Sequence, residues 1–314
     1  MQAKLNWSVY FQNPDFQEYT RKFFIPGDMK PLVVKYCNIS GGSNVLDVGC
    51  GTGYFSRLIA EYSAATVTGI DIDENFIRAA DRIKSGEQKG NITYKLADAC
   101  NMPFENQSFD VVTSHTFLHS VPDPVKAIKE MKRVCKPLGT IAAVTPFGFD
   151  YFPSIPGRYP AACEWLEPLR KLEEKKQEMY NRIAPMSMYI NKLNPAEIPY
   201  FFSAAGLNEV SVYPIGRVFS LSNHAISDKE KAEYIRLMYK SETEKLGAFM
   251  ALPENNEFTA EDYETYKELY KRHTDYLLDN IGENRIWETQ GGCFMLVTAK
   301  MPLSFGFMGE HHSD

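Results

Sequence analysis

No stretch of this chain approaches the roughly 18 consecutive apolar residues that a membrane span requires. Dense clusters of Lys or Arg are missing too, and the formal net charge is −6. Proteins that bind nucleic acid usually show a basic footprint, because phosphate neutralisation drives their affinity, so a nucleic-acid partner is disfavoured. The six cysteines are scattered, with no CxxC pair and no histidines at zinc spacing. Neither a zinc module nor a disulfide framework is therefore expected, and the thiols suit a reducing compartment. The opening MQAKLNWSVYFQNPDF has no apolar segment of the kind that marks a secretory leader. Internal repeats and low-complexity tracts are also lacking. These absences lead to the expectation of a cytoplasmic protein with neither a membrane nor a nucleic-acid partner.

What is present fits a globular α/β chain. At 314 residues, 44% hydrophobic and 24% charged, it can bury a sizeable core without staples. Apolar runs at Asn44–Val48, Ala65–Ile70, Ile92–Leu96, Phe109–Ser114 and Thr140–Thr145 read as strands. Helical patterns at Tyr54–Tyr62, Glu74–Lys84 and Pro124–Cys135 separate them. Such alternation predicts a mostly parallel sheet with helices on both faces. A helix at Pro195–Ala205 and strands at Glu209–Pro214 and Cys293–Ala299 resume the pattern, for seven strands in all. The core is then 41–149, 194–221 and 291–301, interrupted by helical insertions at 150–193 and 222–290. Ser227 with Glu230, and Thr259 with Asp262, have capping-box spacing and mark helix starts in the second insertion. Insertions this long exceed ordinary loops and often form lids, so a cap over the site is expected. Residues 1–40 form a separate helical, aromatic segment.

The chemistry concentrates at the first strand and its turn, VLDVGCGTG (45–53). Glycines there allow a sharp bend and close approach of backbone to ligand, and the next helix aims free N–H groups at the same place. Asp71 ends the second strand, where a carboxylate can accept from both hydroxyls of a ribose. The spacing of Gly49, Gly51 and Gly53 is GxGxG, not the dinucleotide GxGxxG, and Tyr54 stands where the third dinucleotide glycine would fall. A nicotinamide cofactor, and with it an NAD(P)-linked oxidoreductase, is accordingly the lesser alternative.

The segments VLDVGCGTG, GIDID, LADACNMPFENQSFDVVTSHTFLHSVPDP and MKRVCKPLGT resemble the class I S-adenosylmethionine (SAM)-dependent methyltransferases. Within them the chain is similar to the small-molecule group around the ubiquinone-biosynthesis enzymes. The resemblance runs from about residue 40 to 146 and implies a Rossmann-like fold, with SAM as cofactor and S-adenosylhomocysteine as product. By the same resemblance, Asp47 would organise the turn and contact the methionine amine. Gly49, Gly51 and Gly53 would line the methionine and ribose, and Asp71 would hold the ribose hydroxyls. Ile72 would pack on adenine, Asp98 would accept from its exocyclic amine, and the Ala99 N–H would reach the ring. Ser114 and His115 would face the methyl donor. Related enzymes fold an N-terminal helix with a Tyr over the cofactor, which makes residues 1–40 a lid and Tyr10 or Tyr19 its closing residue.

His115 is the candidate base, while His119, in a Leu-His position common in the family, is expected to be structural. His224 and His273 are more remote candidates on the second insertion. Tyr263, Tyr266, Tyr270, His273 and Leu277 share one helix face, and that periodicity favours packing against a neighbour over a pocket wall. No Asp/Asn-Pro-Pro-Tyr/Phe follows the fourth strand, which argues against base-amine methylation. No carboxylate cluster stands there for magnesium, so no metal is expected. The reading is a metal-independent methyltransferase of a small molecule, with a homodimer left open as its assembly. A non-catalytic SAM-binding module for partner recognition is the alternative from another class.

Overall fold

The computed structural model describes residues 7–87, 91–121, 123–146, 154–155, 159, 163–183, 195–282 and 289–303. Three short helices lead in: α1 (Trp7–Tyr10), α2 (Pro14–Phe24) and α3 (Lys30–Tyr36). Asn13 caps α2 by accepting from the Phe16 N–H, and Pro14 fills the first turn, where a missing N–H is harmless. Next come β1 (Asn44–Val48), α4 (Tyr54–Ser63), β2 (Thr66–Asp71), α5 (Glu74–Glu87), β3 (Asn91–Leu96) and β4 (Phe109–His115). Asp123 then caps α6 (Pro124–Val134), accepting from the Lys126 N–H. After β5 (Cys135–Pro146) and β6 (Ser154–Ile155), the chain forms α7 (Leu166–Ile183), α8 (Ile198–Ala204) and β7 (Asn208–Ser220). It ends in α9 (Asp228–Met250), α10 (Ala260–Asp279) and β8 (Thr289–Lys300).

The sheet runs β3-β2-β1-β4-β5-β8, parallel as far as β5 and antiparallel at β8. Strand β7 lies on the other edge of β8, and the two-residue β6 continues the β5 edge. Seven long strands are thus present, as expected, with β6 as an addition. Val45, Leu46, Val48, Ile70, Val112 and Ile141 are essentially fully buried, which is why the parallel strands read as unbroken apolar runs. Because β1 lies between β2 and β4, the crevice at their carboxyl ends is a topological switch point, the usual ligand position in such sheets.

Three elements differ from the sequence expectation. Strands β7 and β8 extend well past their apolar centres, pairing from Ser211↔Thr298 to Ser220↔Thr289. Each supplies the other's hydrogen bonds through Gly291 and Gly292, residues that alternation alone leaves in a loop. The helix expected at Pro195–Ala205 begins as a 3₁₀ turn, Pro195–Glu197, and becomes α-helical at Ile198. Pro199 accounts for this, since it has no N–H to continue an i→i−4 ladder from the preceding turn. Most of the loop expected at 146–160 lies outside the described residues.

Helices α7, α9 and α10 build a second core of their own, around Tyr180, Leu246, Phe249, Phe258, Tyr266 and Tyr270. Both expected capping boxes, Ser227 with Glu230 and Thr259 with Asp262, are formed. Among the described residues, no helix is long and apolar enough to cross a membrane.

Candidate active site

A cavity of about 390 Å³ opens at the switch point. Its floor is the β1–α4 turn, where Gly49, Gly51 and Gly53 all have positive φ. All three are crowded, Gly53 included, where a Cβ would stand 2.1 Å from Tyr94 Oη. A Cβ on Gly49 would stand 2.2 Å from Phe117 Cδ2, and one on Gly51 would stand 2.3 Å from Gln17 Oε1. The Gly51 N–H donates to Asp71 Oδ2 at 2.9 Å, and the Asp73 N–H donates to Asp71 Oδ1 at 2.9 Å. Each Asp71 oxygen keeps a further lone pair for a ligand. Burial pushes the Asp71 carboxyl up to about 6, against the pull of those two N–H groups.

Of the residues expected at the site, Gly49, Gly51, Asp71, Ile72, Asp98, Ala99 and His115 line this cavity. Ile72 is half exposed, and Asp98 Oδ1 accepts from the Cys100 N–H at 2.8 Å. Asp47, Gly53 and Ser114 do not line it. Asp47 is fully buried behind the turn and accepts from Ser56 Oγ at 2.6 Å. Burial raises its carboxyl to about 7, with the neighbouring Asp71 charge adding to the rise. Gly53 precedes α4 and accepts from Tyr94 Oη at 3.2 Å. Ser114 is buried in the sheet, its Oγ without a hydrogen-bond partner among the described residues.

Tyr19 also lies away from the cavity. Its hydroxyl donates to the Glu230 carbonyl on α9, and its ring packs near Tyr234. Tyr10 packs edge-on against Phe249 of the helical unit. The α2 residues that do line the cavity are Gln17 and Arg21, joined by Trp7 from α1. Gln17 and Arg21 are four apart and share a helix face, whereas Tyr19, two residues from each, points to the other side. Amide and guanidinium at i, i+4 on a capped helix are the available signal, whereas Tyr19 is what the resemblance to enzymes with a Tyr over the cofactor implies. Gln17 Oε1 accepts from the Thr52 N–H at 2.8 Å, and Glu18 Oε2 accepts from Thr52 Oγ1 at 2.7 Å while Glu18 also pairs with Arg57. Helix α2 is thereby fastened to the glycine turn.

His115 ends β4 with its ring stacked on Phe55, centroids 5.3 Å apart. Its Nε2 is buried with no hydrogen-bond partner among the described residues. Burial holds its pKa well below the ordinary imidazole value, and the Arg21 charge and His119 push the same way. His115 is therefore neutral at physiological pH. His119, also buried, is lowered to about 3 by burial and then by Arg21. Neither His224 nor His273 lines the cavity, and the His273 ring packs against Tyr159. Tyr266 and Tyr270 are buried between helices, as their periodicity suggested. Among the described residues no three His, Cys, Asp or Glu side chains gather as a metal-ligand set.

Residues 46–143 match a family described as a methyltransferase domain. The chain is 38% identical over 114 residues to a demethylmenaquinone methyltransferase of Staphylococcus epidermidis, covering 36% of this chain and 46% of that protein. It is 35% identical over 106 residues to the methyltransferase GfsG of Streptomyces halstedii, covering 33% of this chain and 38% of that one. The chain thus spans less than half the length of these two relatives. Among solved structures, phosphoethanolamine N-methyltransferase 2 of Haemonchus contortus, bound to phosphomonomethylethanolamine and S-adenosylhomocysteine, superposes with a TM-score of 0.52 at 17% identity. That alignment covers 94% of this chain and 59% of the other. Strand order and these likenesses agree on a Rossmann-like methyltransferase fold, with the family match confined to residues 46–143.

Proposed function

We propose that this protein is a metal-independent, SAM-dependent methyltransferase acting on a small molecule. The carrying observation is the cavity at the β1–β4 switch point, where a glycine turn without room for a Cβ is tied by the Gly51 N–H to the Asp71 carboxylate, which also accepts from the Asp73 N–H and keeps free lone pairs. Asp71 would hold the ribose hydroxyls, and half-exposed Ile72 offers an apolar face for adenine. Asp98 and the Ala99 N–H would take the adenine edge. Asp47 would act from behind, setting the turn through Ser56.

When bound, the cofactor supplies a methyl group whose bond to the sulfonium sulfur breaks as the bond to the acceptor nucleophile forms, leaving a thioether. The protein's share is to position the acceptor in line and exclude water. His115 is the side chain placed to receive a hydrogen bond from the acceptor. A buried imidazole held this far below its usual pKa is a weak base, so it serves better to orient than to carry a proton away. Helices α1 and α2 would cover the cavity as a lid and rest on α9. The insertions 150–193 and 222–290 would act as a cap by backing that lid, since none of their described residues lines the cavity, and the core would comprise 41–149, 194–221 and 291–301. Its composition and relatives fit a cytoplasmic enzyme of small molecules.

Calorimetric titration with SAM and S-adenosylhomocysteine tests this reading. Micromolar binding, weakened about tenfold by Asp71→Ala through loss of one or two hydrogen bonds to the carboxylate, is expected. Failure of the wild type to bind either ligand defeats it.

A further inference from the structure

Helix α2 stands between two cavities. Gln17 and Arg21 line the candidate site, while Glu18 and Lys22, on another face of the helix, line a second cavity of about 610 Å³. No lining residue is common to the two. An acceptor has to lie in line with the methyl donor, so a molecule held beyond α2 is not the acceptor.

The second cavity has sides of opposite charge. Lys30 and Arg82 line the side formed by α3 and α5, and Glu230 and Glu233 the side formed by α9. Arg82 and Glu233 are exposed, and neither takes part in an ion pair among the described residues. Between the two sides the surface is apolar. Ile25 is the most buried lining residue at 1% exposed, and the partly buried Ile83 and Leu237 join it from α5 and α9. Cations on one side, carboxylates on the other and hydrocarbon between them complement a zwitterion with an apolar body. A simple anion would meet the α9 carboxylates, and a simple cation would meet Lys30 and Arg82.

Glu18 joins this cavity to the candidate site. It is only 9% exposed, yet it lines the second cavity, and its Oε1 lies 3.2 Å from Lys22 Nζ. The same carboxylate accepts from Thr52 Oγ1 at 2.7 Å and pairs with Arg57. Thr52 belongs to the glycine turn and lines the candidate site. A ligand carboxylate that draws Lys22 away leaves Glu18 to Thr52 and Arg57, which firms the turn.

We propose that the second cavity is a binding site for a small zwitterion, an amine-carboxylate with a hydrocarbon chain, whose occupancy strengthens cofactor binding through Glu18. The site itself is independent of the methyltransferase reading, and only its link to the cofactor rests on that reading. Such coupling is reciprocal, so the cofactor strengthens zwitterion binding by the same factor.

Calorimetry with 6-aminohexanoate tests this, with hexanoate and hexylamine as single-charge controls. The variants are Arg82→Met, Glu233→Gln and the double substitution. Both positions are exposed on helices and receive good helix formers, so folding should persist, which thermal melts check. Wild type should bind 6-aminohexanoate saturably at or below about 10 mM, several-fold tighter than either control. Exposed charge pairs are individually weak, so each single substitution should cost about two- to fivefold and the double about tenfold. No saturable binding, equal binding of the controls, or a double variant that binds as wild type does overturns the site. Should the double variant not fold, the wild-type comparison of the three probes decides alone. Saturating 6-aminohexanoate should also tighten S-adenosylhomocysteine about fivefold, and Glu18→Gln should abolish that gain. No gain in wild type, or a gain that survives Glu18→Gln, overturns the link. Wild type that does not bind S-adenosylhomocysteine at all defeats the methyltransferase reading, and the 6-aminohexanoate titration then decides the cavity separately.

Discussion

The sheet domain and the three-helix unit of α7, α9 and α10 bury their polar groups in opposite ways. Around the cavity of the sheet domain three buried groups are driven toward neutrality, although Arg57 on α4 stays paired with Glu18: Asp47 rises to about 7, Asp71 to about 6, and His119 falls to about 3, each chiefly through burial. In the helical unit they are kept charged and paired. Lys176, almost wholly buried, meets Glu173 at 2.5 Å and Glu242 at 3.4 Å, and donates to Tyr266 Oη at 2.8 Å. Burial alone would raise Glu242, but the Lys245 and Lys176 charges outweigh it and hold the carboxyl at about 2. A ligand site benefits from polar groups left with spare valence, whereas a scaffold is stabilised by closing them on one another. The difference separates the region that holds the candidate site from the region that backs it.

Lys176→Met should have the largest effect on stability. Removing it leaves Glu242 with Lys245 as its remaining cation, Glu173 to solvent and the Tyr266 hydroxyl without its donor, at a cost of about 1–3 kcal/mol. Urea melts should show that loss, with affinity for S-adenosylhomocysteine unchanged within about twofold. A collapse of affinity would mean that the two regions are not separable. Gly49→Val strikes the other side of the contrast. A Cβ there meets the Phe117 ring, and a branched residue at positive φ adds roughly 1–2 kcal/mol. Affinity for S-adenosylhomocysteine should drop by about a hundredfold, near 2.7 kcal/mol, by titration.

Acidity sharpens the comparison further. A hydroxyl donates more strongly to an ionised carboxylate, so cofactor affinity should climb as pH rises through about 6, where Asp71 ionises. From pH 5 to pH 8 the gain should be about tenfold by calorimetry, and Asp71→Asn should flatten it. Stability follows opposite signs in the two regions' carboxyls. The raised Asp47 and Asp71 contribute stability that is full below about 3.9 and lost as pH rises through 6 and 7. The depressed Glu242 contributes stability present above about 4.3 and lost as pH falls toward 2. The depressed His115 and His119 run with Glu242, losing stability below about 6.5, so the sheet domain's own terms partly cancel. Opening of α7 and α9 by hydrogen exchange, corrected for the intrinsic rate, should therefore increase as pH falls from about 4.3 toward 2. The smallest effect expected is at Ser227→Ala, which removes one half of a capping box at the start of α9 and should cost about 1 kcal/mol in thermal melts.

The parts of the site that lie within one stretch of chain were legible. The GxGxG turn, Asp71 twenty positions beyond Gly51, and Asp98 after the third strand each sit beside the local signals that identify them. Tyr19 shows where local reading stops. Its helix was recognisable, but a helix offers several faces, and the glycine turn met the one bearing Gln17 and Arg21. Thr116 gave no sign at all, because an ordinary threonine codon of sequence says nothing about a left-handed φ imposed by the neighbouring strand.

By itself, then, the sequence determined the parallel sheet, the glycine turn with its carboxylate and the helix starts, because periodicity, capping and turn chemistry act over a few residues. Only tertiary structure decided that α1 and α2 rest on α9, that α7, α9 and α10 share one charged core, and that Arg21, His115 and Thr116 line one cavity. Those arrangements join residues tens to more than two hundred positions apart, and they depend on which apolar faces find each other once the sheet has formed.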